Sequence, residues 1–126
     1  MPFRVLVDAH TRAVRTGRMG LPNMEVLPFT SMRIRLVCGQ NDPVQGWVSI
    51  DGQDVPAPVA IYSKKAPLPF RTGYALVPFA ADRVAAGVRT RLTRRGAAWT
   101  VRVDHPDGRT DRLRMDWSNR EGPLLL

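Results

Sequence analysis

Acid–base, nucleophilic or metal chemistry in this chain has few residues to draw on. They are two histidines (His10 and His105), one cysteine (Cys38), nine aspartates and two glutamates. His10 follows Asp8, and His105 stands between Asp104 and Asp107, so each has a carboxylate with which to form an acid–base pair. Both histidines lie at corners between extended segments, where such residues cap turns far more often than they react. Asp42 before Pro43, Asp51 before Gly52 and Asp107 before Gly108 occupy turn positions in which a carboxylate bonds its own downstream backbone. No two carboxylates stand out as general acid and base. No Gly-rich loop with Lys-Ser/Thr is present to hold a phosphate. Two histidines and one cysteine supply neither a zinc set nor a disulfide. Cys38 falls in phase with Met32, Ile34 and Leu36, which predicts a buried small hydrophobe. These residues therefore read as a non-enzymatic protein, with no catalytic, cofactor-binding or metal-binding residue assigned and no cofactor expected.

Binding chemistry is better represented. The net charge is +8, and 17 of the 19 basic residues are arginines, whose planar fork suits carboxylates, phosphates and aromatic faces. GC-rich coding also writes Arg in place of Lys, so the bias by itself names no partner. The basic residues form no run of five or six, which excludes a basic tail. They concentrate between Arg89 and Arg114. In the alternation described below, Arg89, Arg91, Arg102, Arg112 and Arg114 point away from the apolar positions and make a basic interaction face. Asp104, Asp111 and Asp116 interleave with them and are expected to dilute its field. Of the three tryptophans, Trp99 and Trp117 fall on the inward side. A base-stacking platform would need them outside.

The elements that position these residues are strands. The chain's 126 residues make one domain, 1–126, and 44% apolar with 24% charged residues is a globular composition. No run approaches the roughly 20 apolar residues of a membrane span, and residues 1–8 lack the apolar stretch of a secretory signal. Eleven prolines and ten glycines cut the sequence into short pieces that alternate in steps of two. Strands are predicted over 3–8, with 13–15 a short continuation, and over 24–29, 31–38, 44–50, 70–77, 88–94, 98–104 and 109–117, while 55–62 is extended. Pro56 and Pro58 exclude residues 55–62 from the middle of a sheet. Asp51-Gly52 is a hairpin dipeptide, and HPDG at 105–108 joins the last two strands. Setting Trp99 opposite Trp117, Val101 opposite Met115 and Val103 opposite Leu113 keeps both apolar sets inside, with Asp104 opposite Arg112 and a bulged loop. Residues 78–87 carry the one helical pattern, two turns at most. The expected fold is an all-β, Ig-like antiparallel sandwich of seven to nine short strands with one short helical turn near 79–86; a small β-barrel is the alternative. Residues 121–126 form an apolar tail, and Leu124, Leu125 and Leu126 are expected to dock on another subunit.

One stretch carries a family likeness. The run VDAHTRAV at 7–14, a Gly-rich loop, Leu27-Pro28-Phe29 and the alternating segment 32–38 resemble the N-terminal β-sandwich modules of bacteriophage tail-fibre and baseplate proteins. The family's Gly-Asp pair before the alternating strand is Thr30-Ser31 here. The resemblance implies an all-β adaptor that holds virion parts together and brings no catalytic residues. The expected function is thus a structural protein of a phage or prophage particle (tail, baseplate, neck or capsid decoration), resident in the virion after assembly in the host cytoplasm. Its partners would be other virion proteins or copies of itself, with no membrane contact. Residues 1–7 and the leucine tail would supply strand or apolar contacts between subunits. The alternative is a nucleic-acid-binding barrel that uses the arginine face.

Overall fold

The fold is seen in a computed structural model, which describes residues 4–8 and 12–118 and the backbone of 124 and 125. His10, Leu126 and the first three residues lie outside the described residues. The chain forms β1 (Val5–Val7), β2 (Val14–Thr16), β3 (Asn23–Pro28), β4 (Arg33–Val37), β5 (Gln40–Asn41), β6 (Val44–Gln45) and β7 (Trp47–Ile50). It continues as β8 (Gln53–Pro56), β9 (Val59–Ser63), β10 (Tyr74–Phe79), β11 (Arg89–Arg95), β12 (Ala98–Asp104), β13 (Thr110–Asp116) and β14 (Leu124–Leu125). All pairings are antiparallel. The all-β expectation holds. The strands outnumber the expected seven to nine for two reasons: Gly46, at φ +74°, separates β6 from β7 and Pro58 lies between β8 and β9, and the short strands β2, β5 and β14 form where a continuation, a turn and a tail were expected.

Two four-stranded sheets build the sandwich, in the orders β1-β2-β3-β10 and β11-β12-β13-β14. Alternation decides what each buries. In the first sheet Leu27 opposes Ala75, Glu25 opposes Val77 and Asn23 opposes Phe79 on the inner side. Leu27 and Phe79 join Ala13, Ala86 and Val88 in the core, and Val103 of the second sheet packs against that cluster. Val101, beside Val103's row, is 1% exposed. The buried apolar surface is the main favourable term holding the sheets together.

One charged group lies inside. Glu25 is buried, and its Oε2 accepts the Ala86 N–H at 2.9 Å, while Oε1 lies 3.8 Å from Arg15 Nη1. This fastens the connection between β10 and β11 to the middle of the first sheet. The helical turn expected near 79–86 is absent: no helix occurs among the described residues. Pro78 and Phe79 extend β10 by pairing with Met24 and Asn23, and a single reverse turn follows, closed by Arg83 N–H on Ala80 O at 3.1 Å. Helix propensity over ten residues is worth little against burial of Phe79, Ala86 and Val88.

The hairpin between β12 and β13 keeps the expected faces but in another register. Trp99 opposes Met115, Val101 opposes Leu113, Val103 opposes Asp111 and Asp104 opposes Thr110, a shift of two residues. The loop sets it. Gly108 N–H bonds His105 O, Gly108 takes φ +88°, and His105 N–H bonds Arg109 O at 2.8 Å. That is a three-residue connection with the bulge expected of it. Trp99 is buried, whereas Trp117, beyond the end of β13, is 51% exposed; inward phase stops mattering where the facing sheet stops.

Between the sheets' strands the chain makes an excursion. β4 pairs with β9, β5 with β6 and β7 with β8. Asp51 (φ +51°) and Gly52 (φ +74°) make the type I′ turn their dipeptide predicts. All eight residues of β7 and β8 are exposed. Cys38, expected inside, is exposed, and Val37 is buried instead. The expected alternation already breaks inside β4, where Leu36 is exposed and Val37 is buried, so the phase of Met32 and Ile34 does not reach Cys38, and the chain then turns at Gly39 (φ +62°). The root of the excursion is Gly46, whose carbonyl accepts both Gly39 N–H and Ala57 N–H at 2.8 Å. A Cβ there would stand 2.9 Å from Cys38 Cα and 3.0 Å from Ala57 O.

Two substitutions test these fixed points by urea unfolding. Glu25→Leu leaves Arg15 and the Ala86 N–H without their partner, and its expected cost is about 3 kcal/mol. Gly46→Ala adds a backbone clash to an unfavourable φ, and its expected cost is roughly 2 kcal/mol.

Candidate functional site

The second sheet's outer surface carries the basic face. On β11 the outward residues are Arg89, Arg91, Thr93 and Arg95; on β12, Ala98, Thr100, Arg102 and Asp104; on β13, Thr110, Arg112, Arg114 and Asp116. All five arginines expected on this face are on it and exposed, and Arg95 joins them because β11 runs one residue further than its pattern suggests. Six guanidiniums thus meet two carboxylates. Asp111, expected among them, faces the other way, where its Oδ2 lies 2.7 Å from His105 Nε2 and 3.8 Å from Arg109 Nη2.

The register places Arg91, Arg102 and Arg112 directly opposite one another in a row across the three strands. Neighbouring strands are about 4.8 Å apart, so the three stems span roughly 10 Å. Like charges directly opposed on a sheet repel. Arg102 is partly compensated, with Nε donating to Asp104 Oδ1 at 2.7 Å, and Arg114 approaches Asp116 at 3.9 Å. Among the described residues the guanidiniums of Arg91 and Arg112 have no hydrogen-bond or ion-pair partner. Two shallow depressions indent the face. One, of about 450 Å³, is lined by Thr93, Arg95, Ala98, Thr100 and Arg114; the other, of about 390 Å³, by Arg89, Thr90, Arg91, Arg102 and Asp104. Their walls offer guanidinium forks and hydroxyls, which suit carboxylate or phosphate oxygens. None of the twelve outward residues is aromatic.

Three carboxylates in this sheet titrate below the ordinary range. Hydrogen bonds from the Thr110 hydroxyl and then Arg102 hold Asp104 down. Asp107 is lowered by the Arg109 N–H, and Asp116 by the Ser118 hydroxyl and N–H. Tyr62 is raised, first by burial and then by Tyr74, 5.5 Å away ring to ring.

The other sequence candidates fall elsewhere. His105 sits with Asp111 and Arg109 beside a depression of about 420 Å³ whose lining residues include no Ser, Thr or Cys. Trp99 lies under Arg94 at 4.5 Å and edge-on to Trp117, which Arg71 covers at 5.2 Å. Leu124 and Leu125 pair with Arg114 and Leu113 at the β13 edge of their own chain. Two features escaped the sequence reading. A cleft of about 830 Å³ is lined by Arg12, Arg33, Lys64 and Lys65 with Ser31, Met32 and Ser63. Its basic residues come from three separate stretches: the β4–β9 pairing brings Arg33 beside Lys64 and Lys65, and Tyr62, whose hydroxyl donates to Arg12 O at 3.4 Å, brings in Arg12. Residues 36–63 contain no Lys or Arg and three aspartates, a charge reversal that the sequence does display. Comparison with protein-family models, with curated proteins and with solved structures found no match.

Two outcomes follow. Arg91→Thr/Arg112→Thr removes the opposed charges and is expected to raise stability by about 0.5–1 kcal/mol at low salt, with a smaller gain at high salt. Asp104, with its pKa lowered by folding, stabilises the protein above the unfolded carboxylate value near ~3.9, and that contribution is lost as pH falls through the folded value. Urea midpoints of the wild type and Asp104→Asn should therefore differ at neutral pH and converge in acid.

Proposed function

We propose that the chain is a non-enzymatic assembly protein of a phage or prophage particle and that the outer face of β11–β13 is its contact surface. The observation that carries the reading is the row Arg91–Arg102–Arg112, three opposed arginines of which only Arg102 has an ion-pair partner among the described residues. A folded sheet holds three opposed cations at a cost in stability, and an anionic partner turns that cost into binding energy. The preferred partner is the acidic surface of a neighbouring protein subunit. The face is a sheet surface with shallow depressions, and its guanidinium forks suit carboxylates. The resemblance of residues 7–38 to tail-fibre and baseplate modules supports placing the subunit in a virion.

The row also favours a second reading, duplex nucleic acid bound through its phosphates. The lack of an aromatic residue on the face argues against single strands, whose bases need stacking surfaces.

Mass spectrometry of purified particles should find the chain at a fixed ratio to the main structural proteins, and its absence from them overturns the virion reading. Fluorescence anisotropy with duplex DNA separates the two partners. The assembly reading expects no tight binding at about 50 mM salt; low-micromolar binding that falls with a log–log salt slope near −4 to −5 up to about 200 mM would replace it with the nucleic-acid reading.

A further inference from the structure

The charge of this chain is split in space. Outside residues 36–63 it carries all 19 basic residues; within them it carries only Asp42, Asp51 and Asp54. All three aspartates are exposed, two of them on the β7–β8 hairpin. The hairpin also presents unpartnered apolar side chains, with Val48 43% and Ile50 52% exposed, beside Val55 at 39%. A two-stranded hairpin this exposed is marginal in water and gains most from a surface to lie on.

One side of the hairpin is shaped for a guanidinium. Trp47, Ser49 and Asp54 line a concavity of about 480 Å³ with Asn41 and Val44. Trp47 Nε1 donates to Gln40 O at 2.9 Å, which fixes the ring. An aromatic ring and a carboxylate side by side give an arginine a face to stack on and an acceptor to bond. The same chain already uses Arg–Trp stacking twice, in Arg94 over Trp99 and Arg71 over Trp117.

We infer that the acidic β7–β8 hairpin of one copy docks on the arginine face of a second copy, with Asp51, Asp54 and Trp47 receiving Arg91 and Arg112. The occupant of both surfaces is then this chain itself. The contact is heterologous, since hairpin and face are different patches, and it propagates head to tail as a ring or a filament. It rests on the assembly reading and names that reading's partner.

Sedimentation velocity on the full chain tests it with two variants, Asp51→Asn/Asp54→Asn on the hairpin and Arg91→Thr/Arg112→Thr on the face. The wild type should associate with rising concentration at about 50 mM salt and dissociate at high salt. Each variant by itself should associate about tenfold or more weakly. An equimolar mixture of the two should stop at a one-to-one complex, because it retains one intact hairpin and one intact face. Thermal unfolding shows that each variant is folded. Lys64→Ala/Lys65→Ala, in the other basic cleft, should associate as the wild type does. The inference is overturned by a wild type that stays monomeric at millimolar concentration, by oligomers that survive either variant, or by equal loss in the Lys64/Lys65 variant. A monomeric wild type that is nonetheless found in purified particles would sink self-docking and leave the assembly reading standing.

Discussion

Glu25 holds the two sheets in their relation. Its strand is flanked by β2 and β10, and its carboxylate faces inward between Arg15 and the Ala86 N–H. The Ala86 segment is the link that carries the chain from the first sheet to the second. A buried carboxylate can be tolerated only if both oxygens are answered, so the link cannot drift without exposing a charge to an apolar interior. Ala86 and Val88 enter the core beside Leu27 and Phe79 on the strength of that anchor, and the second sheet starts directly after them at Arg89. The orientation of β11–β13, and with it the outward aim of the arginines, follows from how this link is held.

The face could be read from sequence because it depends only on parity. Alternation over 88–94, 98–104 and 109–117 decides which side each arginine takes, and a register shift by two residues leaves every side chain on its side. The row Arg91–Arg102–Arg112 is different. It depends on the register itself, which the HPDG connection decides through the αL conformation of Gly108 and the bond from His105 N–H to Arg109 O. With the longer loop expected from matching Trp99 to Trp117, Asp104 would have faced Arg112 and Arg102 would have faced Arg114, so the row would have run through Arg114 and left Arg112 beside a carboxylate. Apolar matching misled because Trp117 lies past the edge of the facing sheet, stacked by Arg71 rather than buried.

Cys38 and the missing helix fail for a related reason. Both readings extended a local pattern past a point where tertiary constraints take over. Met32 is buried as its phase requires, but the phase is lost at Leu36, exposed beside buried Val37, and Gly39 with the doubly accepting carbonyl of Gly46 then redirects the chain. In 78–87 the helical composition is real, yet two turns of helix would withdraw Phe79 from its place opposite Asn23 and the Ala86 N–H from Glu25. Short helices have too little internal stability to compete with such contacts. The cleft of Arg12, Arg33, Lys64 and Lys65 was illegible because it joins residues from three separate stretches that only the folded chain brings together.

The separation of charge has a mechanical counterpart. The basic face lies on the edge strand β11 and the inner strands β12 and β13 of a sheet whose reverse side carries Trp99 and Val101 into the core, so its arginines are mounted on a packed support. The acidic hairpin hangs from the Gly46 junction, with every residue of β7 and β8 exposed. In the proposed self-docking, a rigid cationic surface and an exposed anionic arm in one chain would divide the work of association. Long-range attraction between them would speed encounter, and the arm would absorb small differences in the angle between neighbours. The same division limits self-closure. An arm rooted between β4 and β9 that folded back on its own sheet would leave both surfaces used up and no site for a neighbour. Opposed arginines that repel one another favour an anionic partner on the face, and in the proposed contact the stability they forgo would be regained on docking.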